Sequence, residues 1–220
     1  MNAVCLLSGG LDSCVTAAIA ASQGYELHAL TFDYGQRSQK EVRCARAVAE
    51  ALDVVDHRII EIDLRNPGGS ALTDDIDIPE ERQEGIPATY VPARNTIFLS
   101  YALAHAEVTG AASIFIGVTA VDYSGYPDCR PEYIEAMQRV AELGTKRGIE
   151  GNAPVIQTPV IEMAKHEIIR RGIELDAPLE RTWSCYRDGD RACGRCDSCR
   201  LRLEGFARAG LEDPIAYADK

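Results

Sequence analysis

The 220-residue sequence predicts an α/β protein in which helices layer a parallel sheet. Three observations carry this. Short apolar runs alternate with segments whose apolar residues recur at helical spacing, as in strand–helix–strand units. Hydrophobic residues make up 46% and charged residues 26% of the chain, ordinary values for a folded globular protein. There is no internal repeat, low-complexity tract or composition break, and the length suits one well-buried core with a small appendage.

The elements follow in order. Residues 4–7 form a short apolar strand, which is also why the N-terminus reads as buried structure and not as a signal peptide. Residues 14–22 are alanine-rich and end before Gly24, a helix with its C-terminal glycine. Residues 26–32 predict a second strand. Val42, Ala45, Ala49 and Leu52 mark a helix over 39–52, and Ile59, Ile60 and Ile62 a third strand over 57–64. Residues 65–92 hold three glycines and prolines before Pro79 and three after it, a loop long enough to be a lid or binding loop. Helix returns at 96–108 and strand at 113–117, followed by a Gly-, Pro-, Asp- and Tyr-rich loop at 120–130. Pro131 suits the first turn of a helix over 131–143. A strand at 155–156, a helix at 162–171 and a closing helix at 199–209 complete the chain.

The formal net charge is −11 and the pI about 4.9. Nucleic-acid binding depends on Lys and Arg neutralising phosphates, so this balance argues against RNA as the direct substrate and for a small molecule. No apolar run approaches the roughly 18–20 residues that span a bilayer. A cytoplasmic location is expected, with no membrane partner. There the eight cysteines are not a disulfide framework.

Ser8-Gly9-Gly10-Leu11-Asp12-Ser13 lies between the first strand and the first helix, at the carboxyl edge of the sheet where ligands bind in such folds. The glycines allow close backbone approach, the serines add hydroxyls, and the free N–H groups expected from Ser13 through Cys14 and Val15 to Thr16 form an anion site. A phosphate or pyrophosphate fits. Asp12 beside it makes sense if it binds Mg²⁺ or orients the loop. The segment is neither a Walker A loop nor a Gly-x-Gly-x-x-Gly fingerprint; a plain Gly-Gly turn with a serine cap is the alternative.

Cys185, Cys193, Cys196 and Cys199 suit tetrahedral Zn²⁺, with Gly194 permitting the turn between ligands and Arg191, Arg195 and Arg200 offsetting thiolate charge. The Cys-x₂-Cys-x₂-Cys run also opens an iron–sulfur pattern, but Leu203 occupies the next ligand position. A metal-free loop is the remaining alternative. With four protein ligands the zinc would be structural, pinning the C-terminal segment near the active site.

Other residues are placed by position. Arg37, after the second strand, reaches either phosphates or a substrate carboxylate, or is a surface charge. Arg94 is suited to clamp a carboxylate. Asn95 is a substrate contact or the N-cap of the next helix. Asp122, Tyr123, Tyr126, Asp128 and Arg130 combine aromatic faces with polar groups that suit a planar heterocycle, against the alternative of a solvated turn. Lys165, near a helix start, either stabilises phosphate charge or is a surface lysine. Asp12, Arg94 and Lys165 are the catalytic candidates. Cys5, Cys14, Cys44 and Cys129 read as buried apolar groups, His28 and His105 as packed, and Trp183 as packing beside the knuckle.

The hexapeptide resembles the pyrophosphate loop of the adenosine-nucleotide α-hydrolase superfamily, which includes GMP synthetase and argininosuccinate synthetase. The resemblance implies a Rossmann-like three-layer fold with a small C-terminal zinc knuckle, and cleavage of ATP to AMP and pyrophosphate with Mg²⁺. Residues 8–13, 30–37, 84–100, 115–131, 182–186 and 193–203 together resemble the 7-cyano-7-deazaguanine synthase family. Ser38 departs from its pattern, which has a histidine after Gly-Gln-Arg. That resemblance implies a C–N ligase that turns 7-carboxy-7-deazaguanine and ammonia into a nitrile for queuosine or archaeosine synthesis. No linker separates the cysteine cluster from the rest, so 1–220 is expected to be one ATP-pyrophosphatase-type domain with 182–203 as a zinc-binding appendage, and the resemblance suggests a homodimer. Two other classes stay open: an ATP-dependent tRNA-modifying enzyme, which would want a basic surface, and a zinc-knuckle binding module that turns over no ATP.

Overall fold

A computed structural model describes residues 1–80, 85–121 and 125–218. Five strands, β1 (Asn2–Leu6), β2 (Glu26–Asp33), β3 (Asp56–Glu61), β4 (Ser113–Ile116) and β5 (Val155–Gln157), form one sheet in the order β3-β2-β1-β4-β5. Every neighbouring pair is parallel. The helices are α1 (Leu11–Ser22), α2 (Lys40–Ala51), α3 (Arg94–Thr109), α4 (Pro131–Gly144), the short α5 (Lys146–Ile149), α6 (Lys165–Glu174) and α7 (Asp197–Ala209). The order of the strands reverses at β1 and β4, which opens a crevice at their carboxyl ends.

Alternation along the central strands sets the three layers. Ala3 and Cys5 of β1 and Phe115 of β4 face α1, α2, α6 and α7 across one core. Val4, Leu6, Ile114 and Ile116 face α3 and α4 across the other. A parallel sheet covered on both faces needs such continuous apolar strands. A third cluster joins Trp183 to Ala71, Ile78 and the C-terminal cysteines. Among the described residues, no helix is long and apolar enough to cross a membrane.

The structure corrects three starts. Helix α1 begins at Leu11 instead of residue 14, so the glycine pair abuts the helix directly. Helix α3 begins at Arg94, with Ala93 as its N-cap in the left-handed region (φ 54°); Asn95 is therefore a first-turn residue and not the cap. Helix α7 begins at Asp197, inside the cysteine run.

Candidate active site

The floor of the site is the turn from β1 into α1. Gly9 has φ +83°, and a Cβ there would lie 2.1 Å from the Glu41 carbonyl oxygen and 2.7 Å from the Ala45 nitrogen of α2. At the end of β4, a Cβ on Gly117 would lie 2.9 Å from Asp12 and Ser13 backbone atoms. The two glycines let the N-terminus of α1 sink between strand ends. The serines then close the loop on itself. The Ser8 and Gly10 N–H groups donate to Ser13 Oγ and Ser8 Oγ, each at 3.2 Å. The two hydroxyls lie 3.0 Å apart, and Ser13 Oγ donates to the Gly10 carbonyl at 3.0 Å.

The first intrahelical bond of α1 is Cys14 N–H to Gly10 carbonyl, 3.1 Å. The orphan donors of the first turn are therefore those of Leu11, Asp12 and Ser13, which suit an anion. Cys14, Val15 and Thr16 were expected among these donors. They lie one turn deeper, fully buried in α1, because the helix starts earlier than the sequence pattern suggested.

Lys165, the first residue of α6, places Nζ 2.7 Å from both Asp12 oxygens. Their side chains are only 15% and 24% exposed. The lysine thus offsets the carboxylate that would repel an anion. Its stem is held by α7: Gly205 comes so close that a Cβ there would lie 2.5 Å from Lys165 Cγ.

A cleft of about 290 Å³ runs from this loop past Arg94 to Trp183 and Tyr186. Arg94 donates to Tyr34 Oη at 3.1 Å and sits 5.5 Å from the centre of that ring. Phe32 and Phe98 stack in parallel at 4.0 Å in its wall. Glu41 also lines the cleft, and burial pushes its carboxyl up to about 7; the Cys185 sulfur adds to this and Arg94 opposes it. Sequence reasoning missed Glu41 and took in Tyr34 only within the stretch 30–37 that follows on from the second strand. Both are brought to the cleft by tertiary packing that local patterns do not carry.

The remaining predicted residues divide. Asn95 and Tyr126 line the cleft. Asp128 lies behind it: its Oδ2 accepts the Asn95 N–H at 3.0 Å, and its carbonyl accepts from Asn95 Nδ2 at 3.0 Å. Asp128 therefore caps α3 from 33 residues away. Tyr126 donates to Thr89 Oγ1 at 2.9 Å. Arg130 is exposed and donates to the Pro127 carbonyl at 3.1 Å. Arg37 is exposed too; it donates to the Ile76 carbonyl at 2.8 Å and so ties down the long loop without lining the cleft. Asp122 and Tyr123 lie outside the described residues. Ser38 is buried and its hydroxyl has no partner.

The four knuckle sulfurs lie within 4.8 Å of one another, with Cys193 and Cys199 3.9 Å apart. Zn–S bonds of about 2.3 Å in a tetrahedron put sulfurs about 3.8 Å apart. The N–H groups of Arg187 and Cys193 point at Cys185 Sγ, and those of Arg195 and Cys196 at Cys193 Sγ, at 3.3–3.4 Å. Hydrogen bonds from the Cys196 and Cys199 thiols hold Cys185 far below the ordinary thiol range. The donor set fits a closed, tetrahedral thiolate site. Leu203 sits in α7 and supplies no fifth ligand. Trp183 joins this knuckle to the serine–glycine loop, since its backbone N–H donates to the Gly9 carbonyl at 2.8 Å.

With that geometry in place, the similarities are specific. Residues 2–210 match the sequence model of a family described as "Queuosine biosynthesis protein QueC". The chain is 58% identical over 219 residues to a 7-cyano-7-deazaguanine synthase of Pseudomonas fluorescens, covering 98% of this chain and 95% of that one. It is 54% identical over 221 residues to the protein of that name from Desulfitobacterium hafniense, covering 100% and 94%. Among solved structures, NMN synthetase from Francisella tularensis superposes with a TM-score of 0.51 at 17% identity, over 96% of this chain and 77% of that one; this is a likeness of fold.

Proposed function

The chain belongs to the QueC family of queuosine biosynthesis proteins, and from that premise we propose that it converts 7-carboxy-7-deazaguanine, ammonia and ATP into 7-cyano-7-deazaguanine. The observation that carries the chemistry is the closed serine–glycine loop with its Asp12–Lys165 pair, opening on an aromatic-walled cleft.

A carboxylate oxygen is a poor leaving group. Its attack on the α-phosphorus of ATP releases pyrophosphate and leaves an acyl adenylate. Ammonia adds, AMP departs, and the amide remains. The amide oxygen attacks a second ATP, again releasing pyrophosphate, and loss of AMP and a proton yields the nitrile. Two ATP are consumed per product. The first-turn N–H groups of α1 and the two serines bind pyrophosphate as its charge develops, and Lys165 stabilises that charge. Asp12 would be the loop carboxylate to hold a nucleotide-bound Mg²⁺, which would offset phosphate charge, with Lys165 turning from Asp12 to the phosphates. Arg94 holds the substrate carboxylate, with Asn95 and Tyr126 beside the heterocycle. The four-cysteine site holds structural Zn²⁺ and keeps Trp183 against Gly9. In this reading 1–220 is one ATP-pyrophosphatase-type domain with 182–203 as its appendage, working in the reducing cytoplasm; a homodimer is the assembly to look for by light scattering.

The test is mass spectrometry of a reaction of the purified protein with ATP, Mg²⁺, ammonia and 7-carboxy-7-deazaguanine. Nitrile, AMP and pyrophosphate are expected, with two AMP per nitrile. ADP and phosphate would overturn the adenylation route. No product from folded, zinc-loaded protein would overturn the substrate and favour a tRNA-modifying enzyme, a class that the −11 charge opposes.

A further inference from the structure

Two histidines and a carboxylate converge far from the phosphate loop. His28 lies near the amino end of β2, Asp56 pairs with it in register at the start of β3, and His105 comes from α3. The cleft lies at the carboxyl ends of the strands. Along α3, His105 is eleven residues from Arg94, roughly 16 Å at the helical rise. Among the described residues, only this trio and the four cysteines bring three or more His, Cys, Asp or Glu ligand atoms within 4.8 Å of one another.

Each histidine of this cluster carries an unpartnered nitrogen. His28 Nδ1 and His105 Nε2 are both buried without a hydrogen-bond partner. His105 is only 6% exposed. The rings stand edge to face with centroids 6.2 Å apart, and His28 Nδ1 is 3.9 Å from Asp56 Oδ2. Buried polar atoms are nearly always paired, and two such nitrogens in one cluster with a carboxylate invite a common partner. We propose that His28, Asp56 and His105 form a second metal site, taking a divalent transition ion of the Zn²⁺ type that clips α3 to β2 and β3.

Two imidazole nitrogens and one carboxylate oxygen suit such an ion and do not suit Mg²⁺ or Ca²⁺. Tetrahedral bonds of about 2.1 Å would draw ligand atoms to about 3.4 Å, a closure within reach of side-chain rotation. A metal needs an ionised carboxylate and neutral imidazoles. Arg58 is the competitor. Its Nε lies 2.8 Å from Asp56 Oδ2, and its charge opposes a cation there.

That competition makes the test directional. Protein with its four-cysteine site already loaded is titrated with Zn²⁺ by calorimetry, and bound zinc is counted by elemental analysis after dialysis. Wild type should take a second equivalent. Asp56→Asn, a change at a partly exposed carboxylate, and His105→Gln should each weaken that equivalent by about 100-fold. Arg58→Ala should strengthen it roughly threefold by removing a nearby charge. Circular dichroism checks each fold; should His105→Gln misfold, Asp56→Asn and Arg58→Ala carry the test. Saturation at one zinc in wild type, Asp56→Asn binding like wild type, or Arg58→Ala binding no tighter than wild type would each overturn the site.

Discussion

At the scale of single residues, Glu41 shows how the fold makes a group unlike its sequence context. In the chain it is one acid in a charged helical stretch; in the structure it faces a cleft opposite Arg94 with its carboxyl raised by burial from 4.5 to about 7. The raised value fixes the sign of a pH effect. Below pH 4.5 folded and unfolded chains both hold the proton. Between 4.5 and about 7 the unfolded carboxyl ionises while the folded one stays protonated, so stability is lost as pH rises through that window and levels above it. Allowing for partial exposure to the cleft, the loss is on the order of 2 kcal/mol. Urea unfolding at the two ends of the window should give Glu41→Gln a shallower fall than wild type by about that amount; parallel profiles would contradict it. Lys165 and Asp12 were legible as single residues, but their pairing across 153 positions was not. Nothing local in either segment encodes the partner.

Elements were more legible than their ends. All five strands were marked by short apolar segments; the three central ones are nearly continuous apolar runs because the sheet is covered there on both faces. The starts of α1 and α3 were not, and each for a physical reason. Helix α1 has no side-chain cap, and its N-cap is a glycine, so the usual Ser or Asp signal is missing. Helix α3 is capped by Asp128 from a distant loop. The contact between α2 and the Gly9 turn gives a prediction at this scale. Gly9→Ala meets α2 backbone at 2.1 Å as well as a left-handed φ, and backbone cannot rotate away. Gly24 has nearly the same φ, +81°, but nothing within 4 Å. Gly24→Ala should therefore cost about 1 kcal/mol, the left-handed penalty alone. Gly9→Ala should cost about 3 kcal/mol or more, through strain plus forced separation of α2 from the loop. Urea midpoints of the two variants compare them directly; equal shifts would mean that α2 does not clamp the turn.

Across the whole molecule, the cysteine knuckle packs directly against the candidate site. Its helix α7 holds the Lys165 stem through Gly205, its Trp183 bonds to Gly9, and Arg202 is buried against Asp213 with Nε–Oδ2 2.8 Å. A buried ion pair of that kind keeps its strength only while the surrounding packing excludes water. Structural zinc supplies much of the folding energy of small metal knuckles, whereas the sheet here has two large cores of its own. Removing metal with a strong chelator should therefore loosen the C-terminal segment and leave the sheet folded. Trp183 is the sole tryptophan and is only 3% exposed, so it reports on that segment alone. Chelation should move its emission to longer wavelength, expose four thiols to a thiol reagent, and keep most of the far-ultraviolet dichroism. Pyrophosphate affinity should fall in the same titration, because Gly9 loses its Trp183 bond and Lys165 loses the wall that orients it. Unchanged emission once the four thiols have reacted would detach the knuckle from the site; loss of all dichroism would instead make the metal a condition for the whole fold.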